Sequence, residues 1–174
     1  MIYSFNGHTP QIPDDTFVDP TATIIGDAKI GHRCYIGPNV VIRADHGTIE
    51  IGDNNAVEDF IMIHTQENEH LKIGSGNIFG HGVTIHCHSI GDHTIIGMGA
   101  ILCMDSIIDS ESIVAEGSVV KNHQHVLTKT LVGGTPAKFI RDLVQFDLDK
   151  IRAWEQEYVD MVRKYITEPM VPVK

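Results

Sequence analysis

Positive charge is scarce in this chain. Lys and Arg number 13 against 23 Asp and Glu, which leaves a net charge of −10 with His neutral. A surface built to hold phosphate needs Lys and Arg, so nucleic acids and anionic membranes are excluded as partners. Long apolar runs are missing too. No stretch approaches the roughly 20 residues of a membrane span. The opening MIYSFNGHTPQIP has neither the basic start nor the apolar core of a secretory signal. Cysteine is sparse and odd in number, with Cys34, Cys87 and Cys103 and no CxxC pair. That excludes a disulfide framework and points to a reducing, cytoplasmic setting. With 42% hydrophobic and 21% charged residues the chain is not disordered, and 174 residues suffice for one domain with a core. Two residue types stand out by abundance instead: eleven His and sixteen Gly.

The glycines belong to a six-residue period. Aliphatic residues recur at Val18, Ile24, Ile30, Ile36 and Ile42, then at Ile51, Val57 and Ile63. Further runs are Ile73, Phe79 and Ile85, and Ile90, Ile96, Leu102, Ile108, Val114 and Val120. A small or aliphatic residue follows many of them four positions on (Ala22, Ala28, Cys34, Val40, Thr94, Ala100, Ser106, Ser112, Ser118), and Gly often follows directly. Period six fits neither an amphipathic helix nor a simple alternating strand. It fits a solenoid in which each hexad makes one flat wall, the aliphatic residue points inward, and three hexads close a triangular coil of 18 residues. Coils then stack at strand spacing, about 4.8 Å.

The repeat places a cap strand at 1–17, a repeat body at 18–121, a connecting segment at 122–146, a helix at 147–167 and a tail at 168–174. The helix carries Leu148, Ile151, Trp154, Tyr158, Val159, Val162 and Tyr165 at helical spacing, with Asp147 or Asp149 as N-cap. It is expected to pack along the solenoid.

Two insertions break the period, one around Asp45–Thr48 and one in TQENEHLK at 65–72. With them removed, Ile42, Ile63 and Ile85 fall one coil apart, so Arg43, His64 and His86 form one outward column. Asp59 and His81 form a column on the preceding wall, where Glu58 stacks beside Gly80. A lone outward His on such a wall is ordinarily a surface residue. Two in register suit one metal ion, whereas His81 lies around a corner and reaches them only from a neighbouring copy. Three imidazoles with an open fourth position are the ligand set of a catalytic zinc. The expected assembly is therefore a homotrimer with metal between adjacent subunits. His88 and the remaining histidines are assigned to the surface or to local hydrogen bonds.

These residues resemble those of the γ-class carbonic anhydrase-like family of hexapeptide-repeat proteins. VIRADHGTIEIGDNNAVEDFIMIH is similar to the family's Arg-x-Asp, Gln-Asp and His segment, and FGHGVTIHCHSIGDHTIIGMGA to its Gly-His-x4-His segment. The resemblance covers nearly the whole chain. It implies a mainly β fold, a left-handed parallel β-helix with a C-terminal α-helix. It also implies metal ligands at His64, His81 and His86, charged interface residues at Arg43, Asp45 and Asp59, and no organic cofactor. The chain departs from the family in having Glu58 where Gln is common, Ala56 where Asn is common, and His86-Cys87-His88 where His-Gly-Cys is common.

The implied activity is reversible hydration of carbon dioxide at zinc, with iron or cobalt as alternatives. Glu58 orients the attacking hydroxide, although its own charge opposes hydroxide formation. His46, Glu67, Glu69 and His70 are candidates to carry the released proton. Rival readings are a zinc-dependent thioesterase, a CoA-dependent hexapeptide acyltransferase using one His as general base, and a metal-binding trimer without activity.

Overall fold

The computed structural model describes residues 1–168, 170, 171 and 173. The expected tail over 168–174 lies partly outside the described residues. The chain winds as a left-handed parallel β-helix of roughly seven coils, with one C-terminal helix, α1 (Gln145–Thr167), lying along its side.

The period-six aliphatics form the core. Ile24, Ile36, Ile42, Ile63, Phe79, Ile85, Ile96 and Leu102 are wholly buried, each stacked on its counterpart one coil away. The small residues beside them are buried as well. Among the serines, Ser118 Oγ accepts from the Gly134 N–H at 3.1 Å, while at the other two the hydroxyl donates to the carbonyl three residues back, Ser106 to Cys103 (2.6 Å) and Ser112 to Asp109 (2.7 Å). That local bond lets a polar side chain occupy the interior without an unpaired donor.

Three walls result. The first stacks Phe17–Val18, Tyr35–Ile36, Ala56–Val57, Ile78–Phe79, Ile95–Ile96, Ile113–Val114 and Thr130–Gly133. The second carries Met62–His64, Thr84–Ile85, Ile101–Leu102 and Val119–Val120, and the third His70–Ile73, Ser89–Ile90, Ile107–Ile108 and His125–Val126. One long strand, Val41–Ile51, runs around the corner and joins the second wall to the third, pairing with both Met62–His64 and His70–Ile73. At this corner the two insertions meet. Asn68 N–H donates to the His46 carbonyl and Thr48 N–H to the Glu69 carbonyl, so each insertion is paired with the other and the register beyond them is kept. Gly26 sits under this corner at φ +81°, where any Cβ would strike the Ala44 carbonyl.

The stacking runs past residue 121, where the repeat body is expected to end. His125–Val126 still pairs in parallel with Ile107–Ile108, and Thr130–Gly133 with Ile113–Val114. Val126 and Val132 keep the six-residue step from Val120 and are buried in the same core, so inward aliphatics and backbone pairing together carry the coil on. Lys138–Asp142 then folds back antiparallel on Thr130–Gly133 and covers that edge. At the other end Ile2–Tyr3 pairs with Ile24–Ile25, and Gln11 bridges to Lys29.

The start of α1 differs from the expectation. The N-cap is Val144, and Asp147 lies at the third helical position, where it accepts the Val144 N–H at 2.9 Å. Arg141 grips the same carboxylate with both terminal nitrogens (2.6 and 2.9 Å). A carboxylate at this position satisfies the cap amide without itself being the cap, which spacing alone does not separate from capping. The Arg141 hydrogen bond holds the Asp147 carboxyl down at about 2. Glu155 fastens the middle of the helix, accepting from Asn54 (3.1 Å) and facing His93 Nδ1 (3.0 Å).

Two outcomes follow. Phe79→Ala empties a site with no solvent exposure and should cost about 3–5 kcal/mol in a urea unfolding titration. Because the folded pKa of Asp147 is depressed, its contribution is complete above the ordinary 3.8 and is lost as pH falls towards about 2. The stability difference between wild type and Asp147→Asn should therefore be constant at neutral pH and shrink over that acid window.

Candidate metal centre

Stacking of Ile42, Ile63 and Ile85 on the second wall brings Arg43, His64 and His86 into the outward column that follows them. His64 Nδ1 and His86 Nε2 stand 3.0 Å apart, with ring centroids 5.0 Å apart and planes inclined by 60°. Arg43 donates to Asp45 Oδ2 at 2.7 Å, and the other oxygen of Asp45 lies 3.5 Å from His64 Nε2. This places Asp45, at the bend of the long strand, between a guanidinium and an imidazole. Burial by itself raises the Asp45 pKa, but the Arg43 hydrogen bond and charge outweigh it and hold the carboxyl below its usual range. Burial of the His64 ring, reinforced by Arg43 and His86, pushes its pKa down. A neutral ring keeps the lone pair a metal requires.

Three buried polar atoms in this group lack a hydrogen-bond partner: Asp45 Oδ1, His64 Nε2 and His86 Nδ1. Buried polar atoms are normally paired. The first two already face each other and close into a hydrogen bond once His64 carries its proton on Nε2. That leaves His64 Nδ1 facing His86 Nε2. Two nitrogens on one tetrahedral zinc at 2.0–2.1 Å stand about 3.3 Å apart, close to the observed 3.0 Å. The donor set on this wall therefore fits part of a zinc-type site, with Asp45 as the carboxylate that orients a ligand ring.

His81 is elsewhere. Gly82, at φ +72°, turns the chain from the first wall to the second, and His81 stays on the first side of that corner. Its N–H donates to Glu58 Oε2 at 3.1 Å, its Nε2 lies 3.1 Å from the same oxygen, and its Nδ1 lies 3.4 Å from Asp59 Oδ2. The expected residues thus fall into two groups: Arg43, Asp45, His64 and His86 on one wall, and Glu58, Asp59 and His81 on the other. Among the described residues no three metal-capable side chains converge within a single chain.

One residue escaped the sequence reading as a site residue. Tyr158 of α1 donates its hydroxyl to Glu58 Oε1, a contact between positions 100 residues apart. Burial, followed by the adjoining Glu58 carboxylate, raises the Tyr158 pKa, so the phenol remains a donor. Its spacing marked it only as part of the helix's apolar stripe, and nothing in that stripe encodes how α1 is rotated against the wall. Tyr35 and Phe17 continue the aromatic contact along the same wall, with Tyr35–Tyr158 centroids 5.9 Å apart. His88 is exposed, whereas His93 is spent on fastening α1 through Glu155. Of the proton-carrier candidates, His46 places its ring 6.3 Å from His64, while Glu67 and Glu69 lie exposed in the loop beyond and His70 is exposed at the start of the third-wall strand.

Comparison with known proteins finds relatives that share the coil. The profile of the bacterial transferase hexapeptide family (six repeats) matches residues 9–44. Carnitine operon protein CaiE of Proteus sp. is 31% identical over 160 residues, covering 92% of this chain and 81% of that protein. Mitochondrial gamma carbonic anhydrase 2 of Arabidopsis thaliana is 29% identical over 166 residues, and the match spans 92% of this chain and 60% of that protein. Among solved structures, a hexapeptide transferase family protein from Anaplasma phagocytophilum superposes with a TM-score of 0.90 at 28% identity, covering 94% of this chain and 97% of that one. The coil and its register define a hexapeptide-repeat protein. Within that class the chain belongs to the family of CaiE, and the gamma carbonic anhydrase is a further relative.

The Tyr158–Glu58 contact is testable in the metal-free protein. Tyr158→Phe should lower the unfolding free energy by about 1–3 kcal/mol, the worth of a hydrogen bond to a charged group. Glu58→Gln in that background should restore part of the loss, since an amide is less costly than a carboxylate to leave without a donor.

Proposed function

We propose that this protein is a γ-carbonic anhydrase-like metalloenzyme that hydrates carbon dioxide reversibly at a metal site shared between the subunits of a homotrimer. The observation carrying this reading is the pair of in-register imidazoles, His64 and His86, 3.0 Å apart with a carboxylate behind the first. His64 and His86 of one copy and His81 of the next supply three neutral nitrogens. Zinc, iron or cobalt held by such a set supplies the Lewis acidity that activates water towards carbon dioxide.

The chain's own residues do the rest. Asp45, held by Arg43, orients the His64 ring through Nε2. Glu58, held by Tyr158 and by the His81 amide, offers a carboxylate oxygen that accepts a hydrogen bond from water on the His81 side of the site. His46 stands next to the buried ring pair and hands a proton outward to Glu67, Glu69 or His70. Asp59 fixes the outer nitrogen of His81 until metal binds.

Support for the trimer comes from apolar side chains that one copy leaves in water. Met62 and Ile101 stand in one column of the second wall, with Phe60 (67% exposed) at the corner beside them and Met98 (53% exposed) beside the His81 corner. A second copy seated there buries these residues and brings its His81 to the His64–His86 wall, and repetition about a threefold axis closes the ring. The three unpaired thiols suit a reducing, cytoplasmic setting, and none of the described helices is long and apolar enough to cross a membrane.

Anaerobically purified protein should carry close to one metal per chain and accelerate carbon dioxide hydration in a stopped-flow assay. His81→Ala and His64→Ala should each lose the metal. Random reassembly of the two variants in equal amounts should restore about one quarter of the sites, because one site in four then pairs an intact His64 with an intact neighbouring His81. No recovery on mixing excludes a shared site. The likeness to the Anaplasma transferase family protein favours acyl transfer as the second reading, which predicts coenzyme A binding by protein free of metal and unchanged activity in the His81→Ala variant.

A further inference from the structure

Helix α1 does not lie flush on the wall that carries His81. Two cavities of about 350 Å³ each open between them. They meet at Tyr158, which lines both together with Glu58, His81 and Glu157. Tyr35 bounds one lobe, whose other lining is acidic apart from His81, Tyr158 and Met161, and Trp154 bounds the other, where Ile78, Ile95, Ile96 and Met98 make an apolar floor. Each lobe has the size of a small-molecule site, and the Trp154 lobe has the apolar lining as well.

The charge of this cleft is of one sign. Four carboxylates line it, from Glu58, Asp59, Glu116 and Glu157, and no Lys or Arg lines either lobe. Glu58 and Asp59 are engaged by Tyr158 and His81. Glu116 and Glu157 are exposed, and no Lys or Arg of the described residues pairs with them. At the rim, Lys150 Nζ already sits 4.4 Å from the centroid of the Trp154 ring, so the chain itself places an ammonium on this indole.

These features select a ligand by exclusion. Carboxylates repel a phosphate or a carboxylate ligand. The four carboxylates are spread along the cleft and, among the described residues, do not converge as a metal-binding group, so a small, strongly hydrated metal cation finds no set of oxygens to replace its water. An alkylated ammonium is weakly hydrated, is attracted by aromatic faces, and gains further from nearby carboxylates. We propose that the cleft between α1 and the His81 wall binds an organic cation, with its ammonium head between Trp154, Tyr158, Glu116 and Glu157 and its apolar body along the aliphatic lining. The cleft shares His81 with the proposed metal site, and titrating protein freed of metal tests the two readings separately.

Trp154 is the only tryptophan in the chain, so its emission reports the cleft directly. Protein treated with chelator is titrated with choline and, in parallel, with 3,3-dimethylbutan-1-ol, which has the same shape without the charge. Calorimetry follows both titrations. Choline should give a saturable change in Trp154 emission and bind about tenfold or more tightly than the neutral isostere. Glu116→Gln combined with Glu157→Gln changes two exposed side chains and should weaken choline binding about tenfold, with the circular dichroism spectrum unchanged. Equal response to both probes would reduce the cleft to an apolar groove and overturn the proposal. So would the absence of saturable choline binding by both methods, or undiminished choline binding in the double variant.

Discussion

Parallel pairing of the coils, in a register that sets one aliphatic residue above another, is the constraint on which everything else in this protein depends. Most coils place only two to four residues of regular strand on a wall, too few to hold a sheet by local propensity. The hydrogen bonds between coils and the continuous column of Ile, Val, Leu and Phe hold them instead. A slip of one residue anywhere would turn the inward aliphatics outward and carry every outward side chain off its column. The placement of Arg43 beside His64, and of both near His86, is a by-product of keeping Ile42, Ile63 and Ile85 stacked.

The same constraint explains how the insertions are tolerated. Extra residues at Asp45–Thr48 and at 65–72 both bulge at the corner between the second and third walls, where they pair with each other. The core is left in phase, and the bulge is where Asp45 turns towards His64. A carboxylate at that point is costly unless it is partnered, and Arg43 and His64 supply the partners. Chemistry on this wall is thus built from a local departure in a regular scaffold, which is where rigid repeats have freedom to vary.

Helix α1 has a second role beyond covering apolar surface. Through Glu155 it is tied to Asn54 and His93, and through Tyr158 to Glu58. These contacts fix its rotation about its own axis, so the aromatic and acidic side chains facing the His81 wall are held over a cleft instead of closing it. Two walls of one coil stack therefore present different chemistry. One offers two facing imidazoles backed by an ion pair, and the other carboxylates, a phenol and a single imidazole.

Much of this was legible in the chain itself. The hexad period, the inward aliphatics, the stacking of His64 with His86 and the separation of His81 from both can all be counted off the residues, because register in a coil solenoid is a linear function of sequence position. The end of the solenoid was not read in full, although Val126 and Val132 keep the six-residue step and His125–Val126 and Thr130–Gly133 carry the coil past residue 121. Nor was the helix start at Gln145, because Asp147 satisfies a cap amide from inside the helix. The sequence alone determined the fold and the two histidine columns, since periodic burial leaves one way to stack the chain. Only the tertiary structure decided that Asp45 faces His64, that Tyr158 grips Glu58, and that a cleft remains beneath α1. Those contacts depend on the shape of a bulge and the rotation of a helix, and no spacing of residues records either.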